Sequence, residues 1–241
     1  MRKRLTVIEH LEEFRQRLVK MALAFVAALF VTSPFCVKIL VFLKRPASGL
    51  IDKLAFFSPQ EAFSVYMRVA FFAAFLLSLP VILYQVWQYI ALAISRRFRY
   101  AAIIFIFFAT FAFLCGCACA YFILIPPALK FLMSFAGDEL VAVISAQHYI
   151  SFVVGVMFAC GLVFQMPILS YLLGKLGVIT PKFLRSKYSY AIVIIFIAAA
   201  IITPTPDPFN MLVLALPMVL LYEISIWVCY FAQPKNGVKS D

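Results

Sequence analysis

The sequence predicts an all-α polytopic membrane protein with six transmembrane helices and both termini in the cytoplasm. Three observations lead there. Apolar residues make up 66% of the chain and charged residues only 13%, against about 45–50% and about 25% in soluble domains. The apolar residues fall into long runs, and a run of roughly 20 is what a helix needs to cross a hydrocarbon core. The basic residues behind the net charge of +11 gather in short segments between those runs. That is the pattern of cytoplasmic loops facing anionic headgroups, not of a nucleic-acid surface.

Residues 1–20 read as a charged, amphipathic cytoplasmic N-terminus. Leu11, Phe14 and Leu18 recur at helical spacing. Glu13 and Arg17 form an i, i+4 pair, with Glu9, Glu12 and Gln16 at other positions. Residues 21–231 hold the six-span bundle and residues 232–241 a cytoplasmic tail, the whole of 1–241 being a single membrane domain. The first span covers 21–42; it is long and lacks an Ala-x-Ala cleavage pattern, so it is retained and not cleaved. The outer loop 42–63 carries Pro46, Gly49 and Pro59. Its Leu50, Leu54, Ala55 and Phe57 have the spacing of a short amphipathic helix on the outer surface.

The second span covers 66–94. Pro80 is placed to kink it, and Tyr84, Gln85, Trp87 and Tyr89 approach the inner interface, where amphipathic aromatics anchor. The third span covers 100–125. Its Cys115, Cys117 and Cys119 spread around a helix instead of converging on a metal, and with Gly and Ala around them they read as small residues for close helix contact. Residues 126–148 are long enough for a surface cap, and the fourth span covers 149–173. The fifth, 188–202, is too short for a full bilayer. The Thr203-Pro204-Thr205-Pro206-Asp207 run forces a tight outer turn in which Asp207 caps the sixth span, 209–231. Pro217 and Glu223 make that last span short as well.

Orientation follows from Lys and Arg. Fifteen of the 21 basic residues lie in the N-terminus, in the loops after spans two and four, and in the tail, which puts both ends inside. Lys38, Lys44, Arg45 and Lys53 fall on the outer side against that majority.

Gln165 is the most informative position. It lies in residues 149–173, which hold no Asp, Glu, Lys or Arg. A polar side chain at that depth faces protein or a wet cavity and marks a functional site by default. Met166-Pro167 follows it, and a proline there removes a backbone donor and bends the helix. Docking of a polar group from within the lipid and plain interhelical packing are both open readings. The N-terminal carboxylates are likewise open between a solvated helix face and a surface that receives a basic peptide, since carboxylates accept bidentate bonds from guanidinium groups. No Gly-x-Ser-x-Gly, His-Glu-x-x-His, Walker loop or paired intramembrane aspartates occur. Neither an enzyme nor a cofactor or metal is expected.

The motifs together resemble the TatC family, the multi-spanning receptor subunit of the twin-arginine protein translocase. The resemblance is carried by His10-Leu11 with Glu13-Phe14-Arg15 and Arg17-Leu18, by Pro46, and by Pro59 to Phe63. It continues through Pro80 to Trp87, Ala120-Tyr121-Phe122, Phe164-Gln165-Met166-Pro167, Thr203-Pro204 with Asp207, and Leu216-Pro217 with Tyr222-Glu223. The resemblance implies a concave, glove-like bundle whose last two helices are short. It implies recognition of twin-arginine signal peptides on folded cargo, single-span TatA- and TatB-type partners, self-association in a larger complex, and transport driven by the proton-motive force across the bacterial inner membrane.

By the same resemblance Glu13, Glu12, Glu9, Arg17 and Tyr89 form the signal-peptide site. Gln165 and Met166 form an intramembrane contact for a partner or signal helix, and Pro46 and Asp207 belong to a periplasmic cap. The chain departs from the family pattern in three places. Phe98 stands where a loop glutamate is usual, Leu92 replaces a proline, and Gln165 replaces a common glutamate, so it hydrogen-bonds without titrating. A small-molecule secondary transporter is the alternative of a different class, suited by the proline kinks and the midplane polar residue. A translocase assembly subunit with weakened signal recognition is a third reading.

Overall fold

The computed structural model describes residues 7–48, 54–93, 101–134, 143–202 and 208–233. Among them every regular element is helical: α1 (Val7–Thr32), α2 (Cys36–Lys44), α3 (Pro59–Ala93), α4 (Ala101–Cys119), α5 (Ile125–Ser134), α6 (Ala146–Val163), α7 (Met166–Lys175), α8 (Pro181–Ser186), α9 (Tyr188–Ile202) and α10 (Pro208–Ala232). Among the described residues five stretches are long and apolar enough to cross a membrane: Leu11–Ala47, Pro59–Tyr89, Ile103–Ser134, Ala146–Lys175 and Met211–Ala232. The 15-residue α9 is shorter, about 22 Å at 1.5 Å per residue. α10 runs 25 residues straight through Pro217, and its qualifying stretch is the shortest of the five. This is a multi-pass membrane protein.

The helices extend further than hydropathy alone placed them. The N-terminal segment and the first span are one rod from Val7. A single 3-10 turn at Ser33–Phe35, opened by Pro34, leads into α2, and another at Arg45–Ala47 ends it. The third span continues to Ser134 despite Pro126 and Pro127. Its backbone widens to a π turn at Ala120–Leu124, where the Ile125 N–H donates to the Ala120 carbonyl, so the two prolines are absorbed without ending the helix. The surface helix expected around 50–57 is not formed in its described part. Residues 54–58 are non-helical, and Ala55 instead bridges Ser145. The Ala146 N–H donates to the Ala55 carbonyl at 2.9 Å, a long-range bond that outcompetes a local amphipathic turn.

The described residues fall into two compact units. In the first, α1 and α2 pack along α3, with Phe25 against Phe71. Trp87 lies over Phe105 of α4 with ring centroids 4.2 Å apart. Tyr149, at the start of α6, donates its hydroxyl to the Leu43 carbonyl at 2.9 Å. Ser145 caps α6 by accepting from the His148 N–H and lies 3.5 Å from the Glu61 carboxylate, which also accepts from the Phe57 N–H at the head of α3.

In the second unit α10 packs on α7, α8 and α9. α4 and α6 meet where Gly116 and Cys117 lie. A Cβ on Gly116 would come within 2.7 Å of the Cys160 carbonyl, and the Cys117 thiol is 3.4 Å from the Met157 carbonyl. The expected close contact of small residues is found there. α7 ends in a left-handed turn at Gly177 (φ +72°). The Gly177 N–H donates to the Gly174 carbonyl and the Val178 N–H to the Leu173 carbonyl, a Schellman closure that needs glycine.

Candidate functional site

The N-terminal part of α1 lies against the C-terminal part of α3, and three of the residues named from sequence meet there. Glu13 and Arg17 pair along α1: Nε and Nη2 of Arg17 both donate to Glu13 Oε1, the first at 3.2 Å. The guanidinium continues across to α3, where Nη1 donates to Gln88 Oε1 at 2.8 Å and reaches the Gln85 carbonyl at 3.5 Å. Gln88 in turn donates to the Tyr84 hydroxyl. Phe14 meets Tyr89 edge-on with centroids 5.8 Å apart. The facing stretches of the two helices thus supply a carboxylate, a guanidinium, an amide and two phenols.

Burial grades these groups. The Arg17 side chain is 11% exposed and that of Glu13 26%, so the pair is shielded enough for its charge-assisted bonds to hold α1 on α3. Both Arg17 donors fall on Oε1. Oε2 of Glu13 carries no hydrogen bond among the described residues and remains open to a further donor. Glu12 is different. Its carboxylate lies 3.8 Å from Arg15, with the two side chains 57% and 77% exposed, a solvated pair of small energetic weight. The side chain of Glu9 lies outside the described residues, as do Phe98, Asp207 and the side chain of Leu92.

Gln88 and Tyr84 complete the cluster and are the residues that motif reading underused. Their signal was present: Tyr84, Gln85, Gln88 and Tyr89 follow one another at helical spacing at the end of a span that is otherwise apolar. Gln85 is buried, and its Oε1 has no hydrogen bond among the described residues.

The second candidate position belongs to the other unit. Gln165 sits in the two-residue interruption between α6 and α7 with φ −77° and ψ −17°. Its N–H donates to the Leu162 carbonyl at 3.0 Å, an i−3 bond, and helical bonding resumes with the Leu169 N–H on the Gln165 carbonyl at 2.9 Å. Pro167 lacks the donor that would continue the ladder, which is why the break falls here. The expected bend is therefore a real discontinuity. Gln165 and Met166 are both half-buried. Pro46 stands in the 3-10 turn that closes the first rod, followed by the fully buried Ala47.

Comparison with known proteins places this architecture. A family model described as Sec-independent protein translocase protein (TatC) matches residues 9–217. The chain is 33% identical over 234 residues to the Sec-independent protein translocase protein TatC of Carboxydothermus hydrogenoformans, covering 97% of this chain and 96% of that one. It is 37% identical over 232 residues to the protein of the same description from Aquifex aeolicus, covering 95% and 96%. The crystal structure of a twin-arginine translocase receptor, TatC, matches with a TM-score of 0.84 at 37% identity over 93% of this chain and 99% of that one. With the N-terminal carboxylates from Glu9 onward and the Gln165 break inside residues 9–217, the chain belongs to the TatC family of Sec-independent protein translocase proteins.

Proposed function

We propose that this chain is the receptor subunit of a twin-arginine translocase, which binds the paired arginines of a signal peptide at Glu13, with Glu12 and Glu9 adding carboxylates and Tyr89 an aromatic wall. The observation that carries the reading is the state of Glu13. It already holds one guanidinium, that of Arg17, through a single oxygen, and its second oxygen is open. A carboxylate so placed has the geometry to accept from an incoming arginine. Arg17 positions it by fixing α1 to Gln88.

Gln165 serves a different contact: a neutral amide beside a helix break holds a polar group of a partner span or of the signal helix by hydrogen bonding alone. Partners are TatA- and TatB-type single-span proteins and further copies of this chain. The protein lies in the bacterial cytoplasmic membrane with both ends inside, and the proton-motive force drives transport.

The test is site-specific cross-linking of a twin-arginine precursor to the purified chain in membranes. Reversing Glu12 and Glu13 to Lys abolishes the cross-link, and a twin-lysine precursor fails to cross-link to the unaltered chain. An undiminished cross-link to the reversed variant would refute the assignment.

A further inference from the structure

α8 is a six-residue helix that lies against the end of α10, and local chemistry fixes it there. After the Gly177 turn, Thr180 caps α8 by accepting from the Phe183 N–H at 3.1 Å. The Tyr222 hydroxyl of α10 donates to the Leu184 carbonyl at 2.8 Å. Between the two helices opens a groove of about 320 Å³ lined by Pro181, Lys182 and Arg185 of α8 and by Ile226, Trp227 and Tyr230 of α10. The lining holds two cations, two amphipathic aromatics and no acid.

Three features give the groove a ligand class. Lys182 and Arg185 are three residues apart and share one face. Both are exposed, and among the described residues neither forms an ion pair. Their basic neighbours are occupied: Lys175 donates to the Tyr171 hydroxyl and lies over its ring, and Lys187 lies over Tyr190. Trp227 and Tyr230 are 61% and 65% exposed in the last turns of a spanning helix that ends at Ala232. That is headgroup level, where Trp and Tyr place an apolar body in the acyl region and a polar tip in water. A guanidinium and an ammonium on one face suit a phosphate.

We propose that this groove is a binding site for the phosphate headgroup of an anionic phospholipid. Lys182 and Arg185 hold the phosphate, and Trp227, Tyr230 and Ile226 line the glycerol and the first acyl methylenes. A lipid seated there ties α8 to α10. Inorganic phosphate shares the charge but has nothing to place on the apolar half of the lining.

The chain's two tryptophans allow a direct test. Trp87 is buried in the other unit at 5% exposure, so quenching from the lipid phase reports on Trp227. The full chain is reconstituted with phospholipids brominated on the acyl chains, carrying either phosphatidylglycerol or phosphatidylcholine headgroups at equal mole fraction. Phosphatidylglycerol quenches at far lower mole fraction, by roughly 30-fold for two basic groups at a headgroup site. The Lys182→Gln/Arg185→Gln variant loses that preference. Lys182→Arg/Arg185→Lys keeps it, as does Lys175→Gln, and far-UV circular dichroism verifies that all variants are helical. Equal quenching by the two headgroups in the unaltered chain, or a preference that survives the double Gln substitution, would overturn the proposal. So would displacement of the anionic lipid by excess inorganic phosphate, which would reassign the groove to a soluble anion.

Discussion

The Glu13–Arg17–Gln88 bridge makes a quantitative prediction. Glu13→Gln keeps the shape of the side chain but removes the charge facing a guanidinium that is only 11% exposed. Arg17 then retains two neutral acceptors, Gln88 Oε1 at 2.8 Å and the Gln85 carbonyl at 3.5 Å. The gross Coulomb attraction of charges about 4 Å apart is about 4 kcal/mol at an effective dielectric of 20, and desolvation of both groups cancels much of it. Hydrogen bonds to charged groups contribute a net of about 1.5–3 kcal/mol. With Glu13 itself 26% exposed, solvent screening brings the expected coupling to about 1–2 kcal/mol.

The measurement is a double-mutant cycle of Glu13→Gln and Arg17→Gln, read by reversible unfolding of the purified protein in mixed micelles and followed by tryptophan fluorescence. The Glu12–Arg15 pair on the same helix is the internal reference. At 57% and 77% exposure and 3.8 Å, its cycle returns no more than about 0.5 kcal/mol. A Glu13–Arg17 coupling as small as the reference would mean that Arg17 does not fasten α1 to α3 through this contact, and the positioning role assigned to it fails.

Other expectations follow from single contacts. Gly116→Ala pushes a Cβ to 2.7–3.0 Å from backbone atoms of Cys160 and Gly161, so α4 and α6 move apart and stability falls by about 1–3 kcal/mol. Gly155→Ala, whose Cβ meets nothing within 4 Å in the interior of α6, does not destabilise and gains up to about 1 kcal/mol of helix propensity; equal thermal shifts for the two variants would contradict the contact. Tyr149→Phe removes a buried hydroxyl that donates to the Leu43 carbonyl and costs about 1 kcal/mol, seen as a lower unfolding midpoint in the same micelles. Gln165→Leu leaves the chain folded but reduces co-purification of TatA- and TatB-type partners and export of a folded reporter, and normal values for both would remove the role proposed for that amide.

The candidate site was half legible. The Glu13–Arg17 pair and the break at Gln165-Met166-Pro167 could be read because both arise within one turn of helix, from i, i+4 geometry and from a missing proline donor. Gln88 could not be named as the acceptor for Arg17, because the two lie 71 positions apart and nothing in local spacing joins them. Glu12 illustrates the converse. It is Glu13's neighbour in sequence, but one step along a helix turns a side chain about 100°, and Glu12 is left in solvent while Glu13 is shielded against α3.

By itself the sequence determined that this is a helical membrane protein, roughly where each span lies, that the fifth is short, and which family it joins. Those features rest on composition, run length and local motifs. Tertiary structure alone decided which faces pack, how far the rods extend, and what becomes of the prolines. The physical reason is that spans apolar on every side carry little periodicity to mark a buried face. Pro126 and Pro127 would end a helix in isolation, but a π turn upstream accommodates them, and the Ala55–Ser145 bridge joins backbone groups 90 residues apart in the chain, a pairing that local spacing does not encode.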